Sequence, residues 1–246
     1  MPENPLRPDL LRLSYDDYRA LPAIANSDLS RLRDVLNGRG PRSAANNAAL
    51  SFGTAFHTAL LEPDSYQPGQ KGINEALVRW MVEAVRHDAD LRALLEGGIA
   101  EPSCLFTDAA TGLVCKLRAD LVVPTPGRYT IVDFKSTMAA DWDHFALQCA
   151  VFDYDRQAAF YLDALAADRF LLVGVQKQAP FHVFPVEVTP LMLAEGRAKY
   201  RALLTVLVPG REAEAFPFLD AAAVRAAVQT LGLRPDAADA TDAGGF

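Results

Sequence analysis

Two apolar runs occupy the middle of the chain, "VCKLRADLVV" from Val114 to Val123 and "YTIVDFKST" from Tyr129 to Thr137, with the turn-forming "PTPGR" between them. Short runs rich in β-branched residues and bounded by turns read as strands, and a tight connection makes them neighbours. Each run carries an aspartate. Asp120 lies near the end of the first, and Asp133 follows thirteen residues later in the second. Two adjacent strands set such carboxylates side by side, which is costly unless a cation neutralises them. Hard oxygen ligands suit Mg²⁺ or Mn²⁺. Side chains alternate along a strand, so Lys135 leaves the same face as Asp133. A lone Asp-x-Lys is most often a salt-bridged strand end. Two acids and a lysine around a divalent cation are the minimum equipment for phosphodiester hydrolysis.

The surrounding chain places these strands in an α/β (α+β) architecture, a mixed central sheet flanked by helices with a helical region before it. "SYDDYRALPAIANSDLSRLRD" predicts a turn at Leu21–Pro22 and a helix capped by Asn26 or Ser27, with Asp28 in its first turn. From about Ala45 an apolar face of Leu50, Ala55, Phe56 and Leu60 predicts a helix ending at Pro63. "NEALVRWMVEAVRHDADLRALLEGG" gives one or two more helices, closed at Gly97–Gly98. "DAATG" reads as the turn of a hairpin. Helices over "DRQAAFYLDALAA" and "PLMLAEGRAKYRALLTVLVPG" enclose two more strands, "RFLLVGVQK" and "FHVFPVEV". The expected division is a lead-in over 1–14, one domain over 15–210 (helical over 15–98, sheet-forming over 99–210) and a partly disordered extension over 211–246.

Composition narrows the class. No apolar run approaches the ~18 residues of a membrane span, and "MPENPLRPDLLRL" lacks the uninterrupted apolar core of an export signal. Cys104, Cys115 and Cys149 form no close pair, which points to a reducing cytoplasm and away from a cysteine-built metal site. The net charge of −7 runs against the basic excess usual in DNA binders. Part of that acidity sits in the tail after Arg234, and Arg31, Arg33, Arg39 and Arg42 offset it locally. That arginine run reads first as a solvated face and second as a grip on a phosphate backbone. Asp141, Asp143 and His144 read as a solvated turn or cap. His57 alone on an apolar helix reads as a buried, hydrogen-bonded histidine.

"ALSFGTAFH", "KLRAD", "IVDFKST" and "DRQAAFYLDAL" occur in that order on suitable elements. Together they resemble the PD-(D/E)XK nuclease superfamily, with its restriction-endonuclease-like core. The branch most similar is that of exodeoxyribonuclease VIII and the RecB-type enzymes. "LPAIANSDLSRLRD" and "GTAFHTALLEPDSY" extend the exodeoxyribonuclease VIII resemblance, which covers roughly residues 15–200. Ala119 stands where the superfamily name has proline. The resemblance implies that His57, Asp120, Asp133 and the Phe134 carbonyl hold Mg²⁺, with Mn²⁺ as a substitute. Lys135 is then the catalytic lysine, and Gln157 and Tyr161, on one helix face, face the metal site and the DNA backbone. Glu101 is a further candidate acid. The implied function is a Mg²⁺-dependent exodeoxyribonuclease of a phage or prophage-type recombination system. It would act on linear duplex DNA from its ends in the 5′-to-3′ direction, with a single-strand annealing protein and a ring-like homo-oligomer as partners. The alternatives are a non-catalytic DNA-end-binding module and the nuclease part of a helicase–nuclease complex.

Overall fold

The computed structural model describes residues 9–39, 44–125, 128–211, 226 and 228–233. Arg42 and nearly all of the expected C-terminal extension lie outside the described residues. Two short elements open the chain, α1 (Tyr15–Ala20) and β1 (Ile24–Ala25), followed by four helices, α2 (Asn26–Leu36), α3 (Ala44–Leu61), α4 (Glu75–His87) and α5 (Ala89–Gly97). Five strands come next: β2 (Ile99–Ala100), β3 (Ser103–Thr107), β4 (Val114–Arg118), β5 (Leu121–Thr125) and β6 (Arg128–Thr137). Then come α6 (Trp142–Val151), α7 (Tyr154–Leu165), β7 (Arg169–Gln176), β8 (Val183–Glu187) and α8 (Pro190–Leu207). Among the described residues, no helix is long and apolar enough to cross a membrane.

The strands form two sheets, a three-stranded one in the order β1-β4-β3 and a five-stranded one in the order β2-β5-β6-β7-β8. β6 and β7 run parallel, and α6 and α7 make the crossover that a parallel pair requires. The β6–β7 centre is covered on both faces. Ile131 and Leu172 face a core built with α2, α7 and α8. Val132, Phe134, Val173 and Val175 face a second core built with α3, α4 and α5. Burial on both faces explains why "TIV" and "RFLLVGV" are continuous apolar runs rather than alternating ones. At Gly196, in α8, an added Cβ would lie 2.1 Å from the Asp155 carbonyl oxygen. Only glycine lets α8 approach the first turn of α7 so closely.

Four sequence expectations are corrected. "VCKLRADLVV" is not one strand: β4 and β5 belong to different sheets, and the chain changes sheet at Ala119–Asp120. There the Glu101 and Ala119 amides donate to Asp120 and Pro102 carbonyls, so the corner keeps its backbone bonds without glycine or proline. "WDHFALQCAV", for which no helix was expected, is one, α6, and Asp141 is its cap as read, accepting the His144 amide at 2.8 Å. α2 begins at Asn26 itself, with the Ala25 amide donating to Asp28 Oδ2 at 2.9 Å. Leu50 is 51% exposed, because the packed face of α3 begins at Phe52 and runs through Ala55, Phe56 and Leu60.

Among the described residues of the arginine run, Arg31, Arg33 and Arg39 do not form a free cationic face. Arg31 pairs with Asp28, Arg39 with Asp34, and Arg33 with both Asp34 and Asp153. Asp153 also accepts Lys199 at 2.9 Å and Arg156 at 3.2 Å. Burial alone would raise the Asp153 carboxyl, but hydrogen bonds from Arg33 and Lys199 and the charge of Arg156 hold it below the ordinary value. A carboxyl depressed on folding contributes stability above its unfolded pKa, about 4, and loses it as pH falls through the lower folded value. Asp153→Asn should therefore cost about 1–2 kcal/mol at neutral pH and flatten the loss of stability below about pH 4. Arg33 and Lys199 are 25% and 35% exposed and can turn to water, while Arg156, 1% exposed, keeps Asn26 and Ser30 as acceptors. Asparagine tolerates the left-handed backbone of residue 153, at φ 55°, so the change tests the charge alone. Urea denaturation at pH 3 and pH 7 checks it, and an unchanged acid limb would contradict the ion network.

Candidate active site

β5 and β6 pair from Thr125↔Arg128 up to Leu121↔Val132, and there β5 ends while β6 runs on beside β7 to Thr137. Past that point one edge of β6 is open. An extended residue points its N–H and C=O to the same side, and those of Phe134 face the vacated edge. Two side chains meet them. Asp120 Oδ2 accepts the Phe134 N–H at 2.8 Å, and His57 Nε2 from α3 donates to the Phe134 carbonyl at 2.8 Å. His57 Nδ1 lies 3.4 Å from Asp120 Oδ1, closing the ring. Burial alone would lower the His57 pKa. The charge of Asp120 and its hydrogen bond outweigh burial and push it up to about 9 when no cation is bound, so a cation taking His57 as a ligand would displace the imidazole proton.

The neighbouring face of β6 carries the second set. Lys135 Nζ lies 2.5 Å from Asp133 Oδ2. Gln157, from α7, donates Nε2–H to Asp133 Oδ1 at 2.6 Å, and its Oε1 accepts from Lys135 Nζ at 3.0 Å. Gln157 thus bonds both members of an Asp133–Lys135 ion pair whose carboxylate is 1% exposed and keeps Oδ2 without a hydrogen-bond partner. Burial, reinforced by the charge of Asp120 and only partly opposed by Lys135, pushes the Asp133 carboxyl up to about 6. Burial works against the Lys135 ammonium, but Asp133 and Asp120 hold its pKa above the ordinary lysine value. Lys135 is therefore a cation here and not a proton acceptor. Its Nζ also lies 4.8 Å from the centre of the Tyr154 ring.

Glu101 completes the acidic side. It sits at the β2–β3 corner with φ 51°, where its N–H donates to the Asp120 carbonyl. Arg118 Nε holds one of its carboxylate oxygens at 2.6 Å while donating through its guanidinium to the Leu13 carbonyl at 2.7 Å. Burial, with the charge of Asp120 added, pushes Glu101 up to about 7 against the opposing Arg118. One ligand atom from each of His57, Glu101 and Asp120 lies within 4.8 Å of the others. Two carboxylates and an imidazole, two of the three half-buried beside a further acid, form a donor set that fits a hard divalent cation. Burial first and the charge of Asp120 second raise Glu101 and Asp133, and a bound cation would offset both effects.

A family model described as "PDDEXK-like domain of unknown function (DUF3799)" matches residues 30–219. The chain belongs to that family. Nucleases with the PDDEXK fold use divalent metals, in keeping with the donor set just described. A solved structure named "Putative exonuclease", from Eubacterium rectale, is 17% identical, with a TM-score of 0.59 over 85% of this chain and 89% of that one. A phage related exonuclease from Haemophilus somnus is 13% identical, with a TM-score of 0.36 over 74% of this chain and 91% of that one. An alkaline exonuclease from Laribacter hongkongensis is 15% identical, with a TM-score of 0.36 over 82% of this chain and 94% of that one. None of the curated proteins matches.

On the PDDEXK-like core, the candidate residues drawn from the sequence converge on one end of β6, although not all in the expected manner. His57 Nε2 and the Phe134 carbonyl bond each other directly, so an ion between them would have to part them. Asp133 Oδ1 accepts from Gln157, whereas Oδ2 is ion-paired with Lys135 but is buried without a hydrogen-bond partner. Tyr161 is buried beside the Gln157 side chain, one turn further along α7. Asp141 and His144 serve the start of α6. Sequence reasoning undervalued Glu101 and missed Arg118 and Tyr154. The tertiary fold alone brings the β2–β3 corner to Asp120, and no spacing signals it. Tyr154 had a readable cue, since it lies three residues before Gln157 and shares its helix face.

Proposed function

We propose that this chain is a divalent-metal-dependent deoxyribonuclease that degrades linear duplex DNA from its ends. The observation that carries this reading is the junction at Phe134. The His57–Glu101–Asp120 donor set and the Asp133–Lys135–Gln157 group share that residue's backbone and its immediate neighbours. His57, Glu101 and Asp120 would hold Mg²⁺ or Mn²⁺, with Asp133 and the Phe134 carbonyl as adjoining oxygens. When bound, the cation supplies positive charge that polarises the scissile phosphodiester. Lys135, kept cationic by Asp133, stabilises charge developing on the phosphoryl oxygens. Asp133, with its carboxyl raised toward neutrality, is placed to exchange a proton with an attacking water. Gln157 fixes both by bonding each, and Tyr161 lies beside Gln157.

End-directed action rests on two further grounds. A net charge of −7, with the described α2 arginines already paired, leaves little field for gripping a long stretch of duplex. An end that frays into the site needs fewer phosphate contacts. The Eubacterium rectale neighbour is itself named an exonuclease. The 5′-to-3′ direction, a ring of like subunits, an annealing-protein partner and a place in a phage-type recombination system rest on the exodeoxyribonuclease VIII resemblance.

The test is incubation of the purified chain with end-labelled linear duplex and covalently closed circular DNA. With Mg²⁺ or Mn²⁺ the linear DNA should be degraded from its ends and the circle spared. Ca²⁺ should bind without supporting turnover, because its longer, more numerous ligands position the reacting groups poorly. EDTA should abolish cleavage. Equal cutting of the circle would mean an endonuclease, and full activity in EDTA would remove the metal from the mechanism.

A further inference from the structure

The segment "IANSDLSRLRD" supplies none of the residues of the proposed cation site, yet it is bonded to the helix that carries Gln157. Arg156, immediately before Gln157, is 1% exposed. Its guanidinium is shared among three acceptors, two on α2 and one at the start of α7. Nε donates to Asn26 Oδ1 at 3.1 Å, one terminal nitrogen to Ser30 Oγ at 2.5 Å, and the other to Asp153 Oδ2 at 3.2 Å. Asn26 and Ser30 are four apart on α2, so they present a single face to Arg156. Asp153 precedes α7 in a left-handed conformation, φ 55°, that no side-chain cap relieves. It is pinned by Arg33 of α2 and Lys199 of α8 as well as by Arg156. Lys199 reaches on to Asp155 at 2.8 Å.

This network fixes the first turn of α7, which presents Tyr154 to the Lys135 ammonium and Gln157 to both Lys135 and Asp133. We infer that Arg156, held by Asn26 and Ser30 of α2, is the positioning residue that sets Gln157 against the Asp133–Lys135 pair. The inference rests on the nuclease reading and gives α2 its part in that activity. A guanidinium is suited to the task because its rigid planar fork holds its donors in fixed directions over a wide span, whereas the donors of a lysine ammonium radiate from one rotatable nitrogen. α2 then acts as a brace, and an error at this turn would displace Gln157 from two short bonds.

The experiment compares Arg156→Gln, Arg156→Lys, the double variant Asn26→Ala/Ser30→Ala, and Asn26→Asp. The double variant removes both α2 acceptors and leaves Arg156 paired with Asp153, so no buried charge is stranded. Asn26→Asp keeps the acceptor and should behave as wild type. In the double variant and in Arg156→Gln, kcat on linear DNA with Mn²⁺, per folded molecule, should fall about tenfold or more. KM and the Mn²⁺ midpoint should stay within about twofold of wild type, because the donor set is untouched. Arg156→Lys should recover only part of the loss. A readout independent of cleavage is the Gln157 side-chain amide in NMR, whose hydrogens the bond to Asp133 shields from exchange. That shielding should drop in the double variant and persist in Asn26→Asp. Wild-type kcat in the folded double variant, or a loss that follows only the folded fraction, overturns the inference. Unchanged Gln157 protection overturns it even if the wild-type chain cuts no DNA, and wild-type inactivity by itself counts against the nuclease reading.

Discussion

Lys135→Ala should lower DNA cleavage by about a thousandfold while leaving the fold and Mn²⁺ binding nearly intact. The ammonium sits 2.5 Å from Asp133 and 3.0 Å from Gln157, and its pKa is held above the lysine norm, so it is charged throughout the working pH range. A fixed cation in a partly buried site stabilises developing phosphoryl charge far better than water can. Its loss should therefore appear in kcat much more than in KM. The protein should tolerate the change. With its cation gone, Asp133, already raised to about 6, can take up a proton and keep the Gln157 bond to its other oxygen. Two measurements decide the matter: kcat and KM on end-labelled linear duplex, and calorimetry with Mn²⁺. A variant cleaving within about threefold of wild type would remove Lys135 from the chemistry.

Asp120→Asn should abolish cleavage by a different route. Asp120 is the hub of the donor set, since its two oxygens address the Phe134 amide and His57. Asparagine can still accept the Phe134 N–H through its amide oxygen, so the open edge of β6 keeps its partner and folding should survive. What it lacks is charge. Affinity at oxygen-rich sites follows the number of charged ligands, so Mn²⁺ binding should weaken about a hundredfold or more. The loss should show in the calorimetric midpoint, and raising the Mn²⁺ concentration should restore part of the cleavage. That partial rescue separates this variant from Lys135→Ala, for which added metal should do nothing. Unchanged Mn²⁺ affinity would take Asp120 out of the cation site and leave His57 and Glu101 without their common neighbour.

Several elements were legible because their cause is local. The apolar runs of β6 and β7 announce strands covered on both faces, and Asp133 and Lys135 share a face by strand alternation alone. Gln157 and Tyr161, four apart on α7, share a helix face by the same kind of periodicity. The order of four short motifs was enough to place His57, Asp120, Asp133 and Lys135 in one PDDEXK-like domain, which the match over residues 30–219 bears out at the level of the family.

Tertiary structure decided the rest. "VCKLRADLVV" carries no glycine or proline, so nothing local marks the corner at Ala119–Asp120 where the chain leaves one sheet for another. That corner is made by backbone bonds from Glu101 and Ala119 to residues distant from them in sequence, which no periodicity encodes. It also ends β5 early and opens the β6 edge at Phe134, where His57 and Asp120 meet. Glu101 enters through the same corner. The arginines of α2 carried a misleading signal, because the acids that neutralise them include Asp153, 120 positions from Arg33. Sequence determined which side chains were available and which face of its own element each would leave. The long-range backbone and ion-pair closures set which elements came together, because their free energy depends on partners that only the folded chain brings within reach.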